Sequence, residues 1–243
     1  MNKIIAVIPA RYQSSRFPGK PLALIKGKPM IQWVYERVTE VEELIDVYVA
    51  TDDVRIKDVV EAFGGKDIMT GECSCGTDRV YIASKDVDCD IVVNIQGDEP
   101  LIKKEMVQKL IEAFDDQNVK MATLKKSIID QKEIDDSNVV KVITDKNDDA
   151  IYFSRYPIPF NRDAKEVNYY KHIGMYAYRK DFLKKIVDCE QTQYEKIESL
   201  EQLRVIENGY KIRVKETDFQ SIGIDTPSQI ELAEKLMDEK EDI

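Results

Sequence analysis

The chain has 243 residues, with 36 Lys and Arg against 46 Asp and Glu, a formal net charge of −10, 43% hydrophobic and 34% charged side chains. That apolar fraction excludes a disordered chain, and the length suits one large domain or two small ones with a buried core. The acid excess argues against a coat for nucleic acid or an anionic membrane, because both repel such a surface unless a local basic patch prevails.

The N-terminal half alternates short apolar runs with segments of helical period. Ile4 to Ile8 reads as a strand, Met30 to Val41 as a helix, Ile45 to Ala50 as a strand and Val54 to Phe63 as a helix ended by Gly64-Gly65. Asp67 to Met69, a helix from Thr77 to Lys85, the apolar run Ile91 to Ile95 and a helix from Lys103 to Phe114 continue the rhythm. Runs such as Ile91-Val92-Val93, without alternation, suit strands covered on both faces of a parallel sheet.

Beyond about Lys120 the pattern changes. Met121 to Leu124, Val139 to Thr144 and Ala150 to Ser154 read as strands, the last two joined as a hairpin through Asp145-Lys146-Asn147-Asp148. Helices over Lys180 to Val187 and Glu195 to Glu207, a strand at Lys211 to Lys215 and a helix from Pro227 to about Met237 complete the chain. The expectation is one α/β domain over residues 1–243, its sheet mostly parallel with helices on both faces, carrying a β-rich insertion at about 120–178 that forms a lobe or a subunit contact.

No apolar stretch approaches the ~20 residues that span a bilayer, and Met1 to Arg11 lacks the form of a secretory signal. Cys73, Cys75, Cys89 and Cys189 show no disulfide framework, so reduced thiols and a cytoplasmic location are expected. One His and a lone C-x-C do not make a zinc site.

Ligands of open parallel sheets bind beyond the carboxyl ends of the strands, so the loops there carry the chemistry. The first, Pro9 to Pro21, holds Arg11, Arg16, Lys20, Ser14, Ser15 and a flexible Gly19, which suits phosphate; a solvated basic loop is the competing reading. It matches neither the P-loop nor the G-x-G-x-x-G spacing. The second, Gln96-Gly97-Asp98-Glu99-Pro100, sets Asp98 at the rim of the most apolar strand, where it either binds a hard cation such as Mg²⁺ or caps a helix beginning near Pro100. Gly223-Ile224-Asp225-Thr226-Pro227 repeats that choice for Asp225. The third, Gly71 to Arg79, puts hydroxyls, thiols and small residues at a helix N-terminus, where a base or phosphate can sit; Ser, Thr and Asp there equally read as ordinary caps, and Cys73 and Cys75 as small packing residues rather than nucleophiles.

Taken together, these segments resemble the 3-deoxy-manno-octulosonate cytidylyltransferase (CMP-Kdo synthetase) family. The carriers are Ile8-Pro9-Ala10-Arg11-Tyr12, Ser15-Arg16-Phe17-Pro18-Gly19-Lys20-Pro21-Leu22, Gly27-Lys28-Pro29-Met30-Ile31 and Ala50-Thr51-Asp52 in the first part of the chain. Gly76-Thr77-Asp78-Arg79, Asn94-Ile95-Gln96-Gly97-Asp98-Glu99-Pro100, Tyr152-Phe153-Ser154-Arg155, His172-Ile173-Gly174, Leu200-Glu201-Gln202-Leu203-Arg204 and Gly223 to Pro227 follow in order.

The resemblance implies a Rossmann-like nucleotidyltransferase fold, a homodimer, Mg²⁺ dependence and cytidylyl transfer from CTP to an anionic 2-keto-3-deoxy sugar, for lipopolysaccharide or capsule synthesis. It implies that Arg11, Arg16 and Lys20 grip the triphosphate, with Ser14 and Ser15 as further donors, and that Pro9, Ala10, Cys75, Gly76 and Thr77 line the cytosine pocket. Asp98 and Asp225 would hold the metal, and Lys20, Asp98 and Asp225 would form the catalytic set. Arg79 would read the sugar carboxylate, with Gln96, Arg155, His172, Tyr176, Glu201 and Gln202 on the carboxylate or hydroxyls. Read from the residues alone, His172 equally suits a packed strand, Tyr176 a core or interface, and Glu201 a helix surface.

One departure is visible: Cys75 stands where many members of the family have Ser, and a thiol is the weaker hydrogen-bond partner. The sugar is open between Kdo and its 8-amino analogue, and a non-catalytic nucleotide-sugar binding protein is the alternative of a different class. The charge is uneven too: Met1 to Tyr35 contains Lys3, Arg11, Arg16, Lys20, Lys26 and Lys28 and no acid, whereas the acidic stretch Asp238 to Asp242 suits a solvated helix.

Overall fold

The computed structural model describes residues 2–13, 17–219 and 222–241. Ser14, Ser15 and Arg16 therefore lie outside the described residues. The chain divides into two compact units, Met1–Gln108 with Ser221–Ile243, and Lys109–Gln220.

In the first unit, β1 (Ile4–Ala10) leads through the short pair β2 (Leu24–Ile25) and β3 (Lys28–Pro29) into α1 (Met30–Thr39). Next come β4 (Asp46–Thr51), α2 (Val54–Ala62), β5 (Asp67–Met69), α3 (Gly76–Ser84), β6 (Ile91–Asn94) and α4 (Lys104–Glu112). β1 pairs in parallel with β4 on one side and β6 on the other, and β4 continues to β5. The strand order β6-β1-β4-β5 is that of a parallel α/β sheet, and β6 is buried at every residue, as its unbroken apolar run predicts. Pro29 opens α1 without needing a backbone donor, and Asp53 caps α2 by accepting the Arg55 N–H at 3.0 Å.

In the second unit, β7 (Met121–Ser127) is followed by α5 (Gln131–Asp135), β8 (Lys141–Thr144) and β9 (Ala150–Ser154). Then come β10 (Tyr170–Arg179), α6 (Lys180–Val187), α7 (Gln193–Glu198), α8 (Leu203–Glu207) and β11 (Arg213–Glu216). β7 pairs with β10 antiparallel and with β11 parallel, and β8 and β9 form the expected hairpin. The terminal helix α9 (Ser228–Glu241) belongs to the first unit, where Ala233 and Met237 pack with Ile25, Met30, Leu101 and Ile224.

Two features differ from the sequence expectation. β10 was not anticipated, although residues 171, 173, 175 and 177 are buried in strict alternation; a Lys, a His and a Gly within the run mask its apolar period. The single helix expected from Glu195 to Glu207 is two helices. Ser199 turns left-handed at φ 52° and ends α7, so residues 199–202 form a turn rather than a helix interior. Among the described residues no helix is long and apolar enough to cross a membrane.

Candidate active site

The carboxyl ends of β1 and β6 carry the acidic and basic groups that the loops promised. After β1 the chain turns back on itself: the Gly19 N–H donates to the Tyr12 carbonyl at 2.8 Å, and Gly19 sits at φ 71°. A Cβ there would meet the Tyr12 ring at 3.1 Å, so the turn needs glycine twice over. The Arg55 guanidinium lies over the Tyr12 ring, 3.3 Å from its centroid. The result delivers Lys20 to the sheet edge.

After β6, Gly97 lets its backbone press against β1, since a Cβ would lie 3.0 Å from the Pro9 carbonyl. The Asp98 carbonyl accepts the Ile224 N–H at 2.9 Å, which joins this loop to the segment carrying Asp225. Lys20 Nζ then donates to Asp98 Oδ2 at 2.5 Å and to Asp225 Oδ1 at 3.2 Å. The capping alternative for Asp98 fails because α4 begins only at Lys104. Ahead of α9, the backbone N–H groups of Asp225 and Thr226 donate to Gln229 Oε1 at 2.7 and 2.9 Å.

Two carboxylates reaching one cationic nitrogen are also the donors that a hard divalent cation uses, with phosphate oxygens and water filling the rest of its shell. Asp98 and Asp225 thus fit Mg²⁺. Among the described residues no cluster of three or more His, Cys, Asp or Glu could hold a metal by itself, so substrate oxygens are needed to complete such a site.

Beside this ion cluster lies a cavity of about 290 Å³. Pro9, Ala10 and Arg11 at the end of β1 form one wall, Gln96, Gly97 and Asp98 a second, and Cys73, Cys75, Gly76 and Arg79 a third. Lys20, Pro21 and Asp225 complete it. Cys75 is the N-cap of α3, its sulfur accepting the Asp78 N–H at 3.5 Å; Thr77 is buried in the first turn of that helix and does not line the cavity.

Arg79 is only 4% exposed, and its guanidinium is engaged: Nη2 donates to Asp52 Oδ2 and Nη1 to Thr70 Oγ1, both at 2.7 Å. Asp52, to which the sequence reading gave no role, is the counter-ion that makes a buried Arg79 tenable. The signal was present, because Asp52 directly follows β4 at the same sheet edge as Asp98 follows β6.

The remaining sugar candidates lie in the second unit. His172 and Tyr176 share one face of β10, with ring centroids 5.5 Å apart, where a register shift between Ile173 and Tyr176 interrupts the pairing with β7. The His172 ring also packs edge-on to Phe153 at 4.9 Å, and Nε2 lies 2.9 Å from Thr123 Oγ1. Loss of hydration pushes its pKa down to about 3, so the imidazole is neutral near pH 7. The same burial, with the Glu201 charge, pushes the Tyr176 phenol up and keeps it a neutral hydroxyl.

Arg155 is spent on the framework: its Nε, Nη1 and Nη2 donate to the carbonyls of Glu198, Ser137 and Ser199 at 2.8, 3.0 and 3.5 Å. Lys141, fully buried, donates to the Asp136, Val139 and Arg155 carbonyls at 2.9, 2.6 and 2.6 Å. Burial lowers its pKa. Arg155 thus holds the end of α7 and the start of the turn that carries Glu201 and Gln202, and Lys141 holds the Arg155 backbone. Gln202 is buried, and among the described residues its Nε2 has no hydrogen-bond partner, so an additional acceptor would offset its desolvation.

A family model described as cytidylyltransferase matches residues 5–212. The 3-deoxy-manno-octulosonate cytidylyltransferase of Thermodesulfovibrio yellowstonii is 49% identical, covering 96% of this chain and 97% of its own. The 8-amino-3,8-dideoxy-manno-octulosonate cytidylyltransferase of Shewanella pealeana is 48% identical over 95% and 97%. A solved structure of a CMP:2-keto-3-deoxy-manno-octonic acid synthetase complexed with CTP superposes with a TM-score of 0.94 at 45% identity, covering 98% of this chain and 99% of that one. The family match and the near full-length identity agree with the ion cluster and cavity: the chain belongs to the 3-deoxy-manno-octulosonate cytidylyltransferase family of nucleotidyltransferases.

Proposed function

We propose that the chain transfers the cytidylyl group of CTP to 3-deoxy-D-manno-octulosonate, giving CMP-Kdo and diphosphate, with Mg²⁺ bound by Asp98 and Asp225. The observation that carries this reading is the meeting of Lys20 with both carboxylates at the edge of the 290 Å³ cavity. A protein that only stored a nucleotide sugar would have little use for two acids beside a triphosphate.

The incoming triphosphate competes for Lys20, which exchanges a carboxylate partner for phosphate oxygens and, with Arg11, offsets the charge that develops on departing diphosphate. Asp98 and Asp225 would hold Mg²⁺, which would supply Lewis-acid polarisation and favour ionisation of the sugar's anomeric hydroxyl. That hydroxyl attacks the α-phosphorus in line with the leaving group, and no covalent enzyme intermediate is needed. Pro9, Ala10, Cys75 and Gly76 enclose the base, while Gln96 and Arg79 lie on the same cavity for the sugar acid. In the second unit, neutral His172, Tyr176 and the unmatched amide of Gln202 are donors suited to hydroxyls and a carboxylate.

The 8-amino sugar is the second reading, favoured by a relative of nearly equal identity. Diphosphate release measured with CTP, Mg²⁺ and each of the two sugars tests both. Release with Kdo above the 8-amino sugar supports the first, the reverse order supports the second, and release with neither from folded protein sinks both. Asp98→Asn, which keeps the shape and removes the charge, abolishes turnover if the carboxylate holds the metal.

The reading includes a homodimer and a cytoplasmic enzyme of lipopolysaccharide or capsule synthesis. Ile129, Tyr156, Phe160 and Ile197 of the second unit are large apolar side chains that stand exposed, and a self-complementary contact would cover them. Light scattering of the intact protein against Phe160→Asp tests the dimer.

A further inference from the structure

Two thiols, Cys73 and Cys75, lie in the wall of the cavity assigned above to CTP, and both are partly exposed. Their surroundings differ. The Cys75 sulfur accepts the Asp78 N–H at the start of the nine-residue helix α3, where backbone donors and the helix dipole favour an anion. The Cys73 sulfur instead points its proton at the Gly71 carbonyl, 3.7 Å away. Lys20 and Arg11 line the same cavity and add positive charge to it. Cys89 is buried, and Cys189 belongs to the second unit, its thiol directed at the Lys185 carbonyl.

We propose that Cys75 is a covalent modification site that takes low-molecular-weight disulfides, and that the mixed disulfide excludes CTP. The Cys75 thiol gives its proton to solvent and the sulfur attacks one sulfur of R–S–S–R. The reagent's S–S bond breaks, a Cys75–S–S–R bond forms, and RS⁻ leaves with the electron pair. The reagent is the oxidant, and a second thiol reverses the step by the same exchange. Space favours the consequence: the cavity is small, about 290 Å³ against roughly 300–1,000 Å³ for small-molecule sites, so an adduct on its wall competes with a nucleotide for the same room. Serine at this position would cap α3 with the stronger acceptor but could not undergo the exchange, so the sensitivity belongs to the Cys75 sulfur.

The inference rests on the nucleotide reading of the cavity, and the experiment separates the two. CTP binding to the untreated, reduced protein is measured first by calorimetry. Its absence overturns both readings. The protein is then incubated with glutathione disulfide, the adduct is located by peptide mass mapping, and CTP binding and turnover are followed. The expected result is an adduct on Cys75, parallel loss of binding and turnover, and full recovery with dithiothreitol. CTP at ten times its Kd should slow adduct formation about tenfold, because only the unliganded protein reacts. Each variant is compared with its own untreated rate: Cys75→Ser keeps that rate after treatment, and Cys73→Ser loses it as the parent does. CTP binding that persists with Cys75 modified, inactivation that survives in Cys75→Ser, or labelling that CTP does not slow overturns the proposal.

Discussion

Lys20→Met tests the ion cluster at its centre. The side chains of Lys20, Asp98 and Asp225 are 15%, 30% and 43% exposed, and the ammonium bonds one carboxylate at 2.5 Å and the other at 3.2 Å. A pair of unit charges at about 3 Å gains roughly 5 kcal/mol at an effective dielectric of 20. Desolvation offsets most of that. A charge-assisted bond nets about 1.5–3 kcal/mol, as for Asp98, and the more exposed Asp225 pair about 0.2–1 kcal/mol. Methionine preserves the apolar stem, so the loss of about 2–4 kcal/mol is electrostatic; at ~2–4 °C per kcal/mol for a chain of this size, Tm falls by roughly 4–16 °C. It also leaves two carboxylates without their counter-ion, so Mg²⁺ should restore more of the Tm in the variant than it adds to the parent. Turnover should fall about 10²–10³-fold, the cost of removing one donor from a developing charge. Calorimetric melting with and without Mg²⁺, paired with diphosphate release, gives both readouts. A folded Lys20→Met with parental turnover, or with no larger response to Mg²⁺, refutes the reasoning.

Asp52→Ala strips the counter-ion from buried Arg79, and a loss of about 2–4 kcal/mol is expected by urea unfolding, with weaker sugar binding in the KM if Arg79 is displaced. Lys141→Met leaves three inward carbonyls unmet; unfolding should show a cost of about 3–5 kcal/mol, and the KM for sugar should rise more than that for CTP because the Arg155 backbone is released and with it the side chain that holds the Glu198 and Ser199 carbonyls. For His172 the folded pKa is depressed from 6.5 to about 3, so the unfolded chain binds the extra proton between those values. Its contribution to stability is complete above pH 6.5 and declines as pH falls towards 3, by up to about 1.4 kcal/mol per pH unit. His172→Gln should therefore lose about 1–2 kcal/mol less than the parent between about pH 7 and about pH 5, read from urea midpoints; equal losses exclude the neutral, desolvated ring.

The sequence by itself determined the parallel α/β half and the sheet edge at which its candidate loops gather. Ile91 to Asn94 could only be a strand buried on both faces, and the alternation of apolar runs with helical segments required crossovers that leave their loops at one sheet edge. Lys20, Asp98, Asp225 and the Cys75 to Thr77 turn were legible because each is local: a short motif directly after a strand or before a helix. The partners were not legible, because they are distant in the chain and electrostatics acts through space. The six cations of the first 35 residues read as a positive pole, yet Lys3 is matched by Asp88, Lys20 by Asp98 and Asp225, Lys26 by Asp238 and Lys28 by Glu36. Arg79 similarly acquired Asp52, and Arg155 became a brace for the turn at Ser199, which itself cut one expected helix in two. β10 escaped because its alternation is carried partly by Lys171, a residue buried only because Glu133 arrives from another element to pair with it. Local periodicity fixes which segments are strand or helix; which charges remain available to a ligand is settled only when the fold has paired the others.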